Sequence, residues 1–120
     1  MTRKSTSSPD RNSEISDDLL QFEFAWDGSE EILYVTGELD VSTAPALEHA
    51  VARTLDGQSG EYHLDIGGMT FIDSSGANAL LRLHQRLANL GRPLVVVAPS
   101  PQAVQVLATR RLDQVLDVRR

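Results

Sequence analysis

The chain has 120 residues, enough for one ordinary domain with a real core and too few for two. Apolar residues make up 41% and charged residues 23%, which fits a soluble globular class and excludes disorder along the whole chain. With 17 acidic and 11 basic residues the net charge is −6, which argues against nucleic acid or an anionic membrane as partner and for a protein or a small molecule.

Residues 1–18 read as a flexible tail: they are rich in Ser and Thr, and only Met1 and Ile15 are apolar. Such a segment buries too little surface to offset its ordering entropy. The first residues lead into no apolar run, so they carry no export signal, and no stretch approaches the roughly 18 apolar residues of a membrane span. Cysteine is absent. Disulfides, thiolate zinc sites and a cysteine nucleophile are therefore excluded, and the chain fits the cytoplasm.

The domain begins near Leu19. Phe22, Phe24 and Trp26 alternate with polar residues, the period of a half-buried strand. Asp27-Gly28 is a hairpin signal leading into a second strand over 31–39, so the first two strands pair antiparallel. Ser42 or Thr43 caps a helix that has Pro45 in its first turn and Leu47, Ala50, Val51 and Leu55 at helical spacing. A third strand covers 61–66, is broken by Gly67-Gly68, and resumes as an extended segment over 69–73. A long helix over about 74–90 turns Ala77, Leu80, Leu81, His84, Leu87 and Ala88 inward and Arg82, Gln85, Arg86 and Asn89 outward, with Leu83 and Leu90 at the margins of its core stripe. Gly91 and Pro93 end it. Leu94–Ala98 reads as a strand buried on both faces. Ser100-Pro101 opens a third helix, and 115–118 forms a short last strand. The order β-β-α-β-α-β-α-β predicts an α/β fold: one mixed five-strand sheet, its first strand antiparallel, packed with three or more helices.

Sites in such folds gather beyond the carboxyl ends of parallel strands. Two polar clusters fall there, Gly37-Glu38-Leu39-Asp40 and Asp73-Ser74-Ser75-Gly76. If the second and third strands are neighbours, Asp40, Asp73 and Ser74 share one rim. Ser74 stands at the start of the long helix, where a serine commonly caps; a capping serine can also be a modification site. Gly76 in the first helical turn costs about 1 kcal/mol of helix propensity, so its place there points to a close approach by another backbone. Enzyme chemistry finds no support. Ile72 occupies the position where a nucleophile elbow needs glycine. His49, His63 and His84 have neither zinc-ligand spacing nor the placement of a general base, and there is no phosphate-binding glycine loop.

Gly37-Glu38-Leu39-Asp40, then Thr43-Ala44, then Phe71-Ile72-Asp73-Ser74-Ser75-Gly76-Ala77, in this order and spacing, resemble a STAS domain, and more narrowly the bacterial anti-sigma factor antagonists. The resemblance covers residues 20–118. It implies that Ser74 is the phosphorylation site and that Asp40, Asp73, Thr43, Ser75 and Gly76 belong to the partner-binding surface, with Ser75 the lesser phosphate acceptor. It implies as partner an anti-sigma factor acting as a serine kinase with ATP. The unphosphorylated antagonist binds that kinase and frees a sigma factor, and a phosphatase restores the serine. It implies no cofactor or metal, and a monomer or weak dimer. A STAS module of a stressosome-like scaffold or of a lipid-transport ATPase partner shares the same features. The sequence departs from the family at Ala77, where a leucine is common. It also ends at Arg120 short of the usual C-terminal helix, a difference expected to leave a patch of sheet or a neighbouring helix less covered, or the last strand weakly held.

Overall fold

The alternating segments at the start of the domain fold into an antiparallel hairpin. β1 (Leu20–Asp27) pairs with β2 (Glu30–Leu39) without a slip from Leu20↔Gly37 to Asp27↔Glu30. Gly28, at φ +66°, takes the left-handed conformation that the turn requires. The computed structural model describes residues 19–28, 30–55 and 59–120; the expected tail of residues 1–18 lies outside them. Beyond the hairpin come α1 (Ala44–Arg53), β3 (Tyr62–Ile72), α2 (Ser74–Asn89), β4 (Leu94–Val97), α3 (Pro101–Thr109), a 3₁₀ turn (Leu112–Gln114) and β5 (Asp117–Arg119).

The strands lie in sequence order, β1-β2-β3-β4-β5, and β2 to β5 run parallel. Three crossovers that all step the same way, each right-handed, place all three helices on one face of the sheet. Leu33, Val35, Leu64, Ile66 and Val96 rise from that face to meet Leu47 and Val51 of α1, Leu80, Leu83 and Leu87 of α2, and Leu107 of α3. The opposite face carries Ile32, His63 and Val95 in one cross-strand row and Tyr34, Asp65 and Val97 in the next. Charges close its edge: the Arg119 guanidinium bonds Glu61 and Asp117, each at 2.9 Å, and the His63 ring lies 3.2 Å from Glu61. Glu61 is held below the ordinary carboxylate range, chiefly by its bond from Arg119.

Four expectations are corrected. Gly67-Gly68 does not break the third strand. β3 runs through it, and register shifts opposite β2 absorb the extra residues. At the shift Gly68 lies close under Thr36: a Cβ there would stand 2.4 Å from the Thr36 methyl, which would have to turn aside. The last strand starts at Asp117, since Leu112–Gln114 first tightens into a 3₁₀ turn that buries Leu112 and Leu116. On α2, Leu83 is core and Ala88 is exposed; the buried stripe is centred on Ala79, Leu80 and Leu83, rotated from the expected one. On β1, Phe24 and Trp26 remain 38% and 62% exposed, because the helices cover the strand's beginning at Leu20 and not its far end.

Candidate functional site

β2 and β3 end side by side, with Leu39 opposite Ile72, so the residues that follow each strand share one rim of the sheet. Both following residues are aspartates, and both carboxylates shape the chain that comes next. Asp40 Oδ1 accepts the Ser42 N–H at 2.9 Å, the Ser42 hydroxyl at 2.7 Å and the Thr43 N–H at 3.2 Å. This Asx-type turn leads into α1. Its donors, the Ser42 hydroxyl first, hold Asp40 below the usual carboxylate range. Thr43 precedes α1 but makes no side-chain cap; it is fully buried, donating its hydroxyl to the Glu38 carbonyl and accepting the Asp40 N–H, both at 2.9 Å.

After β3 Asp73 is the helix cap, and Ser74 is not. Asp73 is extended (φ −114°, ψ −170°), and its Oδ1 accepts the Gly76 N–H at 2.9 Å. The carboxylate is the better acceptor for the partial positive charge at a helix start. Ser74 is thereby moved into the first helical position. Its side chain is exposed, and its hydroxyl has no hydrogen-bond partner among the described residues.

Gly76 meets the close backbone approach that its place in the first helical turn predicts. The backbone that approaches it belongs to the same chain: a Cβ at Gly76 would stand 2.4 Å from the Leu39 carbonyl oxygen. The Asp73 N–H reaches that same carbonyl at 3.4 Å. Gly76 and Thr43 are therefore buried and tie the two turns together; neither lies on the outer surface. Asp40, Asp73 and Ser75 are half-buried, and Ser74 is exposed above them.

Two exposed apolar residues border this rim: Val41 had no place in the sequence reading, and Phe71 entered it only within the motif that carries the resemblance. Val41 is 72% exposed between Asp40 and Ser42, and Phe71 is 45% exposed on β3 opposite Glu38. An apolar residue next to a functional motif was the only available signal, and in sequence it looked like a strand or turn residue. Beside Ser75 an open groove runs between α1 and α2, lined by Val41, Pro45, Glu48, Asn78 and Arg82. Arg82 is held across it by Glu48 at 3.1 Å. Among the described residues no cluster of His, Cys, Asp or Glu could hold a metal ion, and no helix is long and apolar enough to cross a membrane.

Residues 22–117 match the family profile described as "Mlab, STAS domain". The chain belongs to the STAS family. Solved structures share the fold. An anti-sigma factor antagonist from Mycobacterium paratuberculosis superposes with a TM-score of 0.72 at 23% identity, over 87% of this chain and 88% of that one. The anti-sigma factor antagonist SpoIIAA in its unphosphorylated form gives 0.62 at 20% identity, over 82% and 87%.

Proposed function

We propose that this domain is an anti-sigma factor antagonist whose unphosphorylated form binds an anti-sigma factor serine kinase, and that phosphorylation of Ser74 ends the binding. The observation that carries the reading is the division of labour at the start of α2. Asp73 caps the helix, which leaves the Ser74 hydroxyl exposed and without a hydrogen-bond partner among the described residues. A kinase can take that hydroxyl without first breaking the helix cap. The product would add about −1.5 to −2 charge beside Asp40 and Asp73. The helix N-terminus would accept that charge, while a partner surface pressed against the same rim would meet three anionic groups. A cost of about 3 kcal/mol at the interface lowers affinity about 100-fold. Val41, Phe71 and Ser75 are the outward-facing contacts for the partner, with Thr43 and Gly76 acting from within by fixing the turns. This is the role of a cytoplasmic, non-enzymatic regulator of transcription, reset by a phosphatase.

The test is phosphosite mapping of the protein after incubation with ATP and an extract of its host. One phosphate on Ser74, absent from Ser74→Ala, supports the reading. Modification of Ser75 with Ser74 untouched would overturn it. The match to a profile described by Mlab and not by the antagonists favours a second reading, a STAS module of another assembly, in which the same rim docks a partner without phosphate control.

A further inference from the structure

The two edges of the sheet are built differently. β5 is three residues long, and two of them, Asp117 and Arg119, are charged and joined in an ion pair. Short, charged edges resist further strand pairing. β1 is eight residues long, contains no Lys, Arg or Pro, and runs in unbroken register. Apart from the carboxylates of Glu23 and Asp27, none of the usual protections is present on it among the described residues.

The hydrogen-bond parity shows which groups of β1 find no partner among the described residues. The Glu38 N–H donates to the Leu19 carbonyl at 2.7 Å, so Leu19 and Glu38 form a hydrogen-bonded pair. In an antiparallel ladder such pairs alternate. Gln21, Glu23, Ala25 and Asp27 therefore bond to β2, while the N–H and C=O groups of Leu20, Phe22, Phe24 and Trp26 point away from the sheet. The Gly37 and Leu39 carbonyls agree with this parity, since both are engaged on the β3 side, by the Thr70 hydroxyl and the Asp73 N–H. The side chains above this free edge are Phe22, half-buried, and the exposed Phe24 and Trp26.

We propose that β1 is a self-association edge: two copies of this chain pair antiparallel through β1 about a two-fold axis at Phe24, forming one continuous ten-strand sheet. Overlap and charge together select the register, since an axis at Phe22 pairs only residues 20–24 of β1 and one at Trp26 only residues 25–27. Centring the axis on Glu23 sets Glu23 against Glu23, and centring it on Ala25 sets Glu23 against Asp27; like charges directly opposite destabilise a ladder. Centring it on Phe24 sets Gln21 against Asp27 and Glu23 against Ala25, with no like-charged pair. That register brings Phe22 over the partner's Trp26 and Phe24 over the partner's Phe24, aromatic cross-strand pairs of the stabilising kind. The outward N–H and C=O groups of both copies then meet each other. The surface is distinct from the Ser74 rim, so the inference stands apart from the phosphorylation reading. An interface of one strand per chain falls in the small, transient class, so the dimer is expected at on the order of 100 µM.

The chain contains no cysteine, so register can be read by crosslinking the full chain. Glu23→Cys and Ala25→Cys proteins, mixed and mildly oxidised, should give a crosslinked heterodimer, while neither alone crosslinks. Sedimentation should show a concentration-dependent dimer that Phe24→Lys abolishes, with the circular dichroism of the variant matching the parent. Hydrogen exchange should protect the Phe22, Phe24 and Trp26 amides as concentration rises. A chain still monomeric at about 0.5 mM, or crosslinking of Glu23→Cys with itself, would overturn the proposal. So would protection of those three amides at every concentration in a monomer, which would mean that residues 1–18 of the same chain occupy the edge.

Discussion

Two helices of this domain start on a short polar residue whose side chain accepts the N–H of the third helical residue: Asp73 bonds Gly76 before α2, and Ser100 bonds Ala103 before α3. Behind that shared geometry the two starts differ at every position. Ser100 is buried, is followed by Pro101, and uses its own oxygen as the cap. At α2 an aspartate does the capping, and the serine moves one place onward into solvent. The third position is alanine in α3 and glycine in α2, because the Leu39 carbonyl occupies the space a Cβ would need. A serine at a helix start thus has two fates. Where its oxygen caps, it is structural and out of reach; where a neighbour caps, it is open to chemistry.

The largest effect should come from exchanging the third positions. Gly76→Ala gains helix propensity but drives a Cβ into the Leu39 carbonyl, and overpacking of this kind costs about 1–3 kcal/mol. We expect a net loss of up to about 2 kcal/mol in urea unfolding, since the clash is with backbone. The reciprocal Ala103→Gly should cost about 1 kcal/mol through propensity alone. If Gly76→Ala stabilises the protein, the contact that joins the two turns is not a constraint.

Removing the caps should separate the serines. Asp73→Ala and Ser100→Ala should each lower stability by about 1 kcal/mol, whereas Ser74→Ala should stay within about 0.5 kcal/mol of the parent. A finer version is Ser74→Pro. Asp73 is already extended, as a residue before proline must be, and proline suits the first helical position. This variant should fold like the parent and accept no phosphate, so it tests function without touching the cap. A loss above about 1 kcal/mol in Ser74→Ala would show that Ser74 shares the capping.

The smallest effect concerns acid. Hydrogen bonds from Ser42 and Thr43 lower the folded pKa of Asp40 below its unfolded value. Their contribution to stability is therefore complete above the unfolded pKa of about 3.9 and is lost as pH falls through the lower folded value. Asp40→Asn should flatten that part of the acid-unfolding curve and leave stability at neutral pH little changed. An unchanged acid limb would mean that the carboxylate bonds are not maintained in solution.

Much of this was legible in the chain. Period-two and period-3.6 patterns separated strands from helices, and the alternation of β1 with the Asp27-Gly28 turn marked the antiparallel entry. Ser100-Pro101 announced α3 because the cap and the proline sit next to each other. The α2 start was harder to read. Asp73 and Ser74 are both good caps by type, and only the backbone conformation of Asp73 decides between them. Gly76 signalled a close approach correctly, but a sequence cannot say whether the approaching backbone is internal. Likewise Phe24 and Trp26 have the pattern of a buried strand face, and only the reach of the helices leaves them open. The two glycines of β3 could have ended a strand or bent it; pairing with β2, which resumes at Thr36↔Gly68, keeps it intact.

The central claim is that the exposed Ser74 hydroxyl controls partner binding. The most direct measurement is affinity capture from the native host, with partners identified by mass spectrometry, using wild type, Ser74→Ala and Ser74→Asp as baits. The account predicts that wild type and Ser74→Ala both retain an ATP-binding serine kinase and that Ser74→Asp loses it. Recovery of the same partner in equal amounts by all three would contradict the account and place the interface away from Ser74.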